Sequence, residues 1–390
     1  MQSQLELMEK ACGVEWHEYK IEDIFIWQQN ISEINPLHLD SLSLSNEKLH
    51  PFYGQAIVNN GIIEYRHLQD NLLNNKFGKP TLLIHSNNQN IVYLDTPFYL
   101  KDGHGATSVL QAEGLNPLTA QFLITIIRKV ITQKYSYNAK ATKIELKNTL
   151  ITLPTITKNG KKIVAYDFME KFITVLNAER VSTLKVERLA TLEAYLTATG
   201  LCDYILTNDE QKALDDCDAV KYSIFNIKDL YGKSSRGSRL KSADRIDGNL
   251  PFVTAGEYDM GISAYIENDV HVFDENTVTI DMFGSSKYRN YKYGADDHVA
   301  IVHSENIPKF AALYVTAAIH KSSYAGQFDY SRNFYASDAD ELNISLPVKP
   351  DKTPDYDYMS LVISATQKIV IKNLVDHLDM RIAKTVEVLQ

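Results

Sequence analysis

Hydrophobic residues in the first part of the chain recur in short runs, which is the pattern of β-strands. The segments 81–84 and Ile91–Leu94 are apolar or β-branched runs bounded by polar residues and proline, as short strands are. Asn59–Gly61 predicts a turn, since Asn and Gly tolerate positive φ. Apolar residues in 120–134 have helical spacing, so we expect a helix packed on these strands. Residues 1 to about 165 are therefore predicted to form one mixed unit.

Two longer segments keep helical periodicity throughout. The segment 166–199 contains no glycine or proline, and Gly200 is placed to end a helix. The segment 356–390 has an unbroken row of apolar residues at every fourth position. At 1.5 Å per residue each helix is roughly 45 Å long, and a single apolar stripe needs a partner. The stripes expected to face each other contain Leu184, Leu189 and Leu192 on one helix and Leu374, Leu378 and Ile382 on the other.

Short motifs of the first half recur in the second half in the same order. The recurrences lie about 190 to 200 residues further along the chain, and conserved order with small drift in spacing indicates a duplicated unit. The sequence thus predicts two similar globular units. The recurring pairs are Pro51-Phe52 with Pro251-Phe252, Gly61-Ile62 with Gly261-Ile262, 151–154 with 344–347, and 166–169 with 356–359.

The bridge between the two units contains a short predicted helix. Thr207 and Glu210 form a capping box, which would open a helix that runs through Leu214. We expect an α+β fold with two pseudo-symmetric domains separated by the two long helices. The predicted division is a first domain at 1–165, a helix at 166–199, a bridge at 200–218, a second domain at 219–350 and a second helix at 351–390.

Composition indicates an ordinary globular chain with a negative net charge, which constrains what the chain can bind. It has 390 residues, of which 44% are hydrophobic and 23% charged, enough for two full cores. No leader and no apolar run of roughly 18 residues occurs, and three cysteines without CxxC spacing favour the reducing cytoplasm. The net charge of −9 is unusual for a DNA-binding protein. Positive charge must then be local, or a partner must supply it.

Motifs for catalysis or metal binding are weak. The segment 232–234 resembles the end of a phosphate-binding loop, but Ile227 stands where the first glycine belongs. The acidic-basic triplet at 145–147 is better explained as a solvated charge pair than as part of a nuclease site. His104 and His298 hold matching positions, and a buried structural histidine in each unit is favoured over an active site. We therefore predict no catalytic and no metal-binding residue.

Clusters of basic, amide and aromatic side chains instead favour nucleic acid. Arg and Lys neutralise phosphates and bind guanine, whereas Asn and Gln pair with adenine. Any one such cluster could be a solvated loop, but both units carry them. The candidate DNA-binding residues are Asn87, Asn88, Gln89, Lys134, Tyr137, Asn138, Lys140 and Lys143 in the first unit, and Arg236, Arg239, Lys241, Lys287, Tyr288, Arg289, Lys292, Arg332 and Asn333 in the second.

Three ordered segments resemble a known family. Each unit begins with a segment of the form xxIxDIF, continues with a PF or PY segment that ends in GI and a tyrosine, and closes with IxLP before a long helix. In this order the segments resemble the DNA specificity subunits of type I restriction-modification systems and of the related type IIB systems. They are 19–25, 51–65 and 151–154 in the first unit, and 225–231, 251–265 and 344–347 in the second.

The resemblance implies a non-catalytic subunit with two target recognition domains. Each domain would read one half of a bipartite DNA sequence, and the long helices would pack as an antiparallel coiled coil. Such subunits dock adenine methyltransferase subunits, which bring S-adenosylmethionine and base flipping, and can also meet a restriction or motor subunit. No cofactor is then expected in this chain. The bridge at 200–218 is closer to the type IIB relatives.

Two other classes of function remain open from the sequence. The chain could be a divergent nuclease or methyltransferase that acts on DNA. It could also be a non-catalytic decoy or scaffold of a restriction complex. Catalysis by the purified chain would indicate an enzyme, whereas binding to a specific bipartite duplex would exclude a decoy.

Overall fold

A computed structural model describes residues 2–44, 48–136 and 138–389. The chain divides into two compact units, and the boundary falls between Thr183 and Leu184, inside a long helix. The predicted boundary lay at the start of that helix. The difference arises because Phe168 and Met169, in its first turn, are buried among residues of the first unit.

The first unit consists of three sheets and the helices packed on them. Its strand orders are β1-β10-β11, β2-β9-β6-β7 and β3-β8-β4-β5. The strands predicted at 81–84 and 91–94 are confirmed as β6 and β7. Its elements are α1 (Gln2–Cys12), β1 (Glu15–Lys20), α2 (Ile21–Ile24), β2 (Ile26–Trp27), β3 (Glu33–Ile34), α3 (Leu39–Leu42), β4 (His50–Tyr53), β5 (Ile62–Arg66), β6 (Thr81–His85), β7 (Ile91–Leu94), β8 (Tyr99–Lys101), β9 (Thr107–Gln111), α4 (Pro117–Lys134), α5 (Lys143–Lys147), β10 (Leu150–Lys158), β11 (Lys161–Val164) and the start of α6 (Tyr166–Thr199).

The second unit has three sheets with the strand orders β12-β20, β13-β19-β16-β17 and β15-β14-β18. It also contains the end of α6. The remaining elements are α7 (Asn208–Asp215), β12 (Tyr222–Asn226), α8 (Ile227–Tyr231), β13 (Ser235–Arg236), β14 (Asp247–Val253), β15 (Ile262–Ile266), β16 (Thr277–Asp281), β17 (Ser286–Arg289), β18 (Gly294–Ala295), β19 (Val299–Val302), α9 (Lys309–Ser323), α10 (Ala336–Glu341), β20 (Asn343–Pro347) and α11 (Tyr356–Leu389).

The two units share one strand order. The sheet β13-β19-β16-β17 repeats β2-β9-β6-β7, and β15-β14-β18 repeats β5-β4-β8. The second of these repeated sheets contains a parallel pairing in both units, β4 with β8 and β14 with β18. The α+β class and the duplication predicted from the sequence are therefore confirmed.

In each unit a helix covers one face of the four-stranded sheet. In the first unit this helix is α4, which begins one turn before the predicted 120–134 because Pro117 occupies its first position and Asn116 caps it. Its buried face includes Leu123, Ile127 and Ile131, which pack in the core of the unit. In the second unit α9 contributes the corresponding core face.

The two long helices have the ends that the sequence indicates. Gly200 adopts φ +75° and donates its amide to the carbonyl of Leu196, which ends α6. Within the second unit α6 contacts α11 through Arg188, whose guanidinium binds the carboxylate of Asp379. Leu184 is buried, but Leu189 is 59% exposed, so its predicted place in the stripe is wrong. The complete antiparallel coiled coil stays a prediction.

The bridge is tied to α11 by a buried ion pair. Thr207 and Glu210 form the predicted capping box of α7, with N–O distances of 3.2 and 2.7 Å. Lys368 of α11 places its ammonium 3.0 Å from Glu210 Oε2, and Ser364 donates to Oε1. Glu210 and Lys368 are 4% and 7% exposed. No helix in the described residues is long and apolar enough to cross a membrane.

Candidate nucleic-acid interface

Each unit carries an exposed loop at the same place in its fold. The loop 54–61 joins β4 to β5, and the loop 254–261 joins β14 to β15. Gly61 and Gly261 both have φ +81°, and in both loops the two residues before the glycine are also left-handed. The four residues before each glycine are exposed. The duplicated motif that ends in GI therefore encodes one loop conformation, used twice.

Amide side chains hold the loop of the first unit. The turn between β6 and β7 lies beneath it, where Asn87 donates to Gln55 Oε1 at 2.6 Å. Asn88 donates to the backbone carbonyl of Gln55, and Asn90 to that of Ala56 at 3.1 Å. These bonds are neutral and need no counter-ion.

Charged side chains hold the loop of the second unit. Lys287 of β17 is 7% exposed, with its ammonium 3.3 Å from Glu257 of the loop and 3.5 Å from Asp281 of β16. It also donates to the hydroxyl of Ser285. Hydrogen bonding to Ser285 and the charge of Lys287 lower the pKa of the Glu257 carboxyl below its ordinary value. The base of this loop is thus fixed by a carboxylate, ammonium and carboxylate in series.

Arg289 lies beneath the same loop and is 1% exposed. Its Nε donates to Thr279 Oγ1 and one Nη to the hydroxyl of Tyr291, both at 2.9 Å. The other Nη lies 3.7 Å from the position that a side-chain carbon on Gly261 would take. Among the residues that the structure describes, no carboxylate forms an ion pair with it within 4.0 Å. Arg289 is therefore a buried cation with neutral partners.

Burial corrects three of the predicted DNA contacts. Arg289 and Lys287 lie in the interior of the second unit, where neighbouring strands and the loop cover them. Gln89 is 7% exposed and donates to the carbonyl of Ser86, so it closes its own turn. Alternation along a strand cannot separate a basic residue that supports a loop from one that faces solvent, so their burial was not predictable from the pattern. We therefore assign these three residues to holding the loop or turn beside them in place and not to contacting DNA.

The predicted basic segment of the first unit lies on exposed positions around the end of α4 and the start of α5. Lys134, Asn138, Lys140 and Lys143 are exposed, whereas Tyr137 lies outside the described residues. The ammonium of Lys134 lies 5.1 Å from the ring centroid of Tyr135. In the described part of the chain neither Lys134 nor Lys143 has an ion-pair partner. Their charge is available to a phosphate.

Most exposed basic residues predicted in the second unit are paired with acids. Arg236 and Arg239 both bind the carboxylate of Asp297, at 3.3 and 3.7 Å, while Lys241 is exposed and has no ion pair among the described residues. The other pairs are Lys292 with Asp274 at 2.8 Å and Arg332 with Asp338. Tyr288 donates to Asn276, and Asn333 is half-buried.

The strand end beneath each loop carries a different titratable group. In the first unit it is His85, which is fully buried with Nδ1 3.0 Å from Thr107 Oγ1. Burial lowers its pKa to about 4, because the charged form loses its hydration. In the second unit the strand pairing places Asp281 there, beside Lys287.

Comparison with known proteins identifies the second unit. Residues 219–375 match the family described as the type I restriction modification DNA specificity domain. The second unit of this chain is thus similar to restriction-modification DNA specificity domains. Over 244 residues it is 26% identical to the specificity subunit S.BcgI of a type II restriction enzyme from Heyndrickxia coagulans, which covers 58% of this chain and 68% of that protein. The predicted resemblance to restriction-modification specificity subunits is thereby confirmed, and it supports a role in DNA sequence specificity.

Solved specificity subunits also align with most of the chain. The S subunit of a type I restriction-modification system from M. genitalium is 12% identical, with 96% of this chain and 94% of that one covered and a TM-score of 0.37. The HsdS subunit from Thermoanaerobacter tengcongensis is 13% identical, with the same coverages and a TM-score of 0.42. Both scores are low for superpositions of whole chains.

The histidines at matching positions of the two units are less buried than predicted. The side chain of His104 is 92% exposed beside Asp102, and His298 is 31% exposed beside Asp297. Both follow a strand on a loop, so the expectation of a buried structural histidine in each unit is wrong. Asp296, Asp297 and His298 are close enough to share a metal ion, but Asp297 is already engaged by two arginines.

Sequence reasoning missed the tips of the two loops. Tyr258, Asp259 and Met260 in the second unit lie outside the clusters of basic, amide and aromatic side chains from which the candidates were chosen. The recurrence of the GI motif marked both loops. The available signal was Met260, because it stands where the first unit has Asn60, at a turn position with positive φ that methionine rarely adopts.

Proposed function

We propose that the chain is the sequence-specificity subunit of a restriction-modification complex and reads a bipartite target in duplex DNA. One half-site is read by each unit. The observation that carries the proposal is the repeated strand order with one exposed loop per unit, in a chain whose second unit matches a DNA specificity domain. Two similar modules on one chain suit two half-sites on one duplex.

Adenine methyltransferase subunits are the proposed partners, with a restriction or motor subunit in addition. They supply the catalytic groups and S-adenosylmethionine, and they extrude the target base. In this proposal the chain itself binds no cofactor and catalyses no reaction. The net charge of −9 supports a division of labour in which a partner provides part of the phosphate contact.

Phosphate contacts from this chain are proposed at its exposed basic residues without acid partners. Lys134 and Lys143 fulfil this condition in the first unit and Lys241 in the second. Arg236 and Arg239 would have to exchange Asp297 for a phosphate. Replacing one phosphate-binding lysine by alanine should lower the salt dependence of binding by about one unit of slope.

A methylome tests the proposal in its full form. We expect a host that expresses the chain with its methyltransferase to carry methylated adenine in a motif of two short defined halves and an undefined spacer. The same host without the chain should lack that motif. A methylated motif that persists without the chain would contradict the proposal.

Assays on the purified chain distinguish the proposed function from the other classes of function. DNA cleavage with magnesium alone would indicate a nuclease, and methyl transfer from S-adenosylmethionine without a partner would indicate a methyltransferase. Binding to a methyltransferase with no preference among duplex sequences would indicate a decoy or scaffold. Each of these results would replace the proposed function.

A further inference from the structure

The loop 254–261 of the second unit holds an unfavourable backbone at its most exposed point. Asp259 and Met260 are left-handed, with φ +46° and +53°. The first unit has Asn59 and Asn60 at these positions, and asparagine tolerates this region far better than methionine does. Backbone strain of this kind persists only where surrounding structure enforces it, and it concentrates at functional sites.

Buried groups below the loop enforce this conformation. Lys287 binds Glu257 at the start of the tip, and Arg289 lies below Gly261 at its end. The guanidinium of Arg289 binds two hydroxyl groups and lies 5.8 Å from the ring centroid of Tyr293, so its buried charge has only neutral partners and its burial costs free energy. At the same strand position the first unit has Leu94, which packs in an apolar cluster, so this strand pairing forms without a cation there. The requirement for the cation therefore comes from the loop.

Three side chains project from the supported tip. Tyr258 is 93% exposed and Met260 52% exposed, and Asp259 lies between them. The carboxylate of Asp259 only accepts hydrogen bonds, and phosphates repel it. Near a duplex such a group is favourable only where it meets an exocyclic amino group, which adenine and cytosine both present in the major groove. Cytosine is the better partner of a carboxylate, because the amino group of adenine lies beside the N7 acceptor, which repels a second acceptor. Tyrosine and methionine beside it can cover the neighbouring base edges.

We propose that 254–261 is a base-reading loop of the second unit, in which Asp259 accepts a hydrogen bond from the amino group of a cytosine. Tyr258 and Met260 pack beside that base, while Lys287 and Arg289 are positioning residues that fix the loop from below. The inference rests on the proposed function, because it assigns the residues that read one half-site.

Selection from a randomised duplex library tests the base contact. The full chain, purified with its methyltransferase, is used to enrich bound duplexes, which are then sequenced. We expect Asp259→Asn to replace cytosine by adenine at one position of one half-site, because an amide pairs with adenine. Affinity for the original duplex should fall about 10-fold to 100-fold, with the other half-site unchanged. An unchanged motif and affinity would overturn the assignment.

The positioning role is tested with Arg289→Leu, which installs the side chain that the first unit has at this register. We expect a folded protein whose discrimination at the cytosine position drops about 10-fold while its preference at the other half-site is kept. Arg289→Lys, which keeps the charge, should recover part of the discrimination. If Arg289→Leu does not fold, Arg289→Lys is compared with wild type directly. Full discrimination in a folded Arg289→Leu protein would overturn the role.

Two controls separate this inference from the proposed function. Ile224→Ala removes a side chain that is 68% exposed on β12 of the same unit and should leave both half-sites unchanged. Asn60→Asp alters the tip of the first loop and should change only the other half-site. If the wild-type complex enriches no bipartite motif, the proposed function fails. If it does and the Asp259 and Arg289 variants behave as wild type, only the role assigned to the loop fails.

Discussion

The hairpins β6–β7 and β16–β17 have the same strand pairing but opposite chemistry below their loops. In the first unit three of the buried positions under the loop, Leu83, Val92 and Leu94, are aliphatic and belong to an apolar cluster with Phe98 and Val109, and the fourth is His85. In the second unit the paired positions are polar or charged. The register matches Leu83 with Thr279, Val92 with Lys287, Leu94 with Arg289 and His85 with Asp281.

The difference shows that strand order and loop conformation do not determine which side chains support the loop from below. Each hairpin lies beneath a loop that ends in a glycine at φ +81°, and the support for that loop is aliphatic side chains and amides in the first unit and an ionic series in the second. The buried ammonium of Lys287 is tolerated in the second unit because Asp281 and Ser285 lie within 3.5 Å of it. The comparison predicts that a charge placed in the apolar cluster of the first unit, or one member removed from the ionic series of the second, destabilises the unit concerned.

The largest effect is expected when the arginine of the second unit is placed at the matching position of the first unit without its partners. Leu94→Arg should destabilise the first unit by about 5 kcal/mol or more, because the guanidinium would enter an apolar cluster in which Leu83 stands where the second unit has the hydroxyl of Thr279. The chain has 2 tryptophans, Trp16 and Trp27, and both lie in the first unit. Urea unfolding followed by tryptophan fluorescence therefore reports this unit. A shift of less than about 2 kcal/mol would mean that the apolar face accepts charge.

The converse change in the second unit should be nearly as costly. Lys287→Met leaves Asp281 buried without its cation and should cost about 3 to 5 kcal/mol. Hydrogen exchange of the segments 277–281 and 286–289 measures this loss. The double variant with Asp281→Asn should recover most of it. Equal exchange in the single and double variants would show that the pair is not coupled.

Acid should weaken the first unit through His85. Its folded pKa of about 4 lies below the ordinary 6.5, so the unfolded state binds the proton more readily. This contribution is complete above pH 6.5 and is lost as the pH falls from 6.5 towards 4, by about 3 kcal/mol in all. Urea midpoints by tryptophan fluorescence across this range measure the loss, and His85→Gln should flatten the profile. An equally steep profile for His85→Gln would assign the sensitivity to other groups.

The smallest effect is expected from a single loop support in the first unit. Asn90→Ala removes one neutral bond, to the carbonyl of Ala56, and should cost about 1 kcal/mol. Tryptophan fluorescence in urea again gives the value. A cost like that of Lys287→Met would mean that the amide and ionic supports are equivalent.

Sequence patterns predicted the elements well and the site poorly. The helices α6 and α11, the strands β6 and β7 and the capping box at Thr207 follow from periodicity and local hydrogen bonding, which neighbouring residues determine. The burial of Arg289 depends on Thr279 and Tyr291, which a different strand and a following turn bring to it. Such contacts are visible only once strands pair. The loop tips were missed because they lie outside the clusters of basic, amide and aromatic residues that the sequence singles out.

The ion pair of Glu210 with Lys368 has a consequence for protein synthesis. The lysine follows the glutamate by 158 residues, so α7 leaves the ribosome long before its counter-ion does. During that interval the carboxylate must remain hydrated, and α7 cannot settle into the buried position that it has in the finished chain. The packing of α7 against α11 is therefore delayed until α11 has been synthesised, whereas the first unit can fold while translation continues.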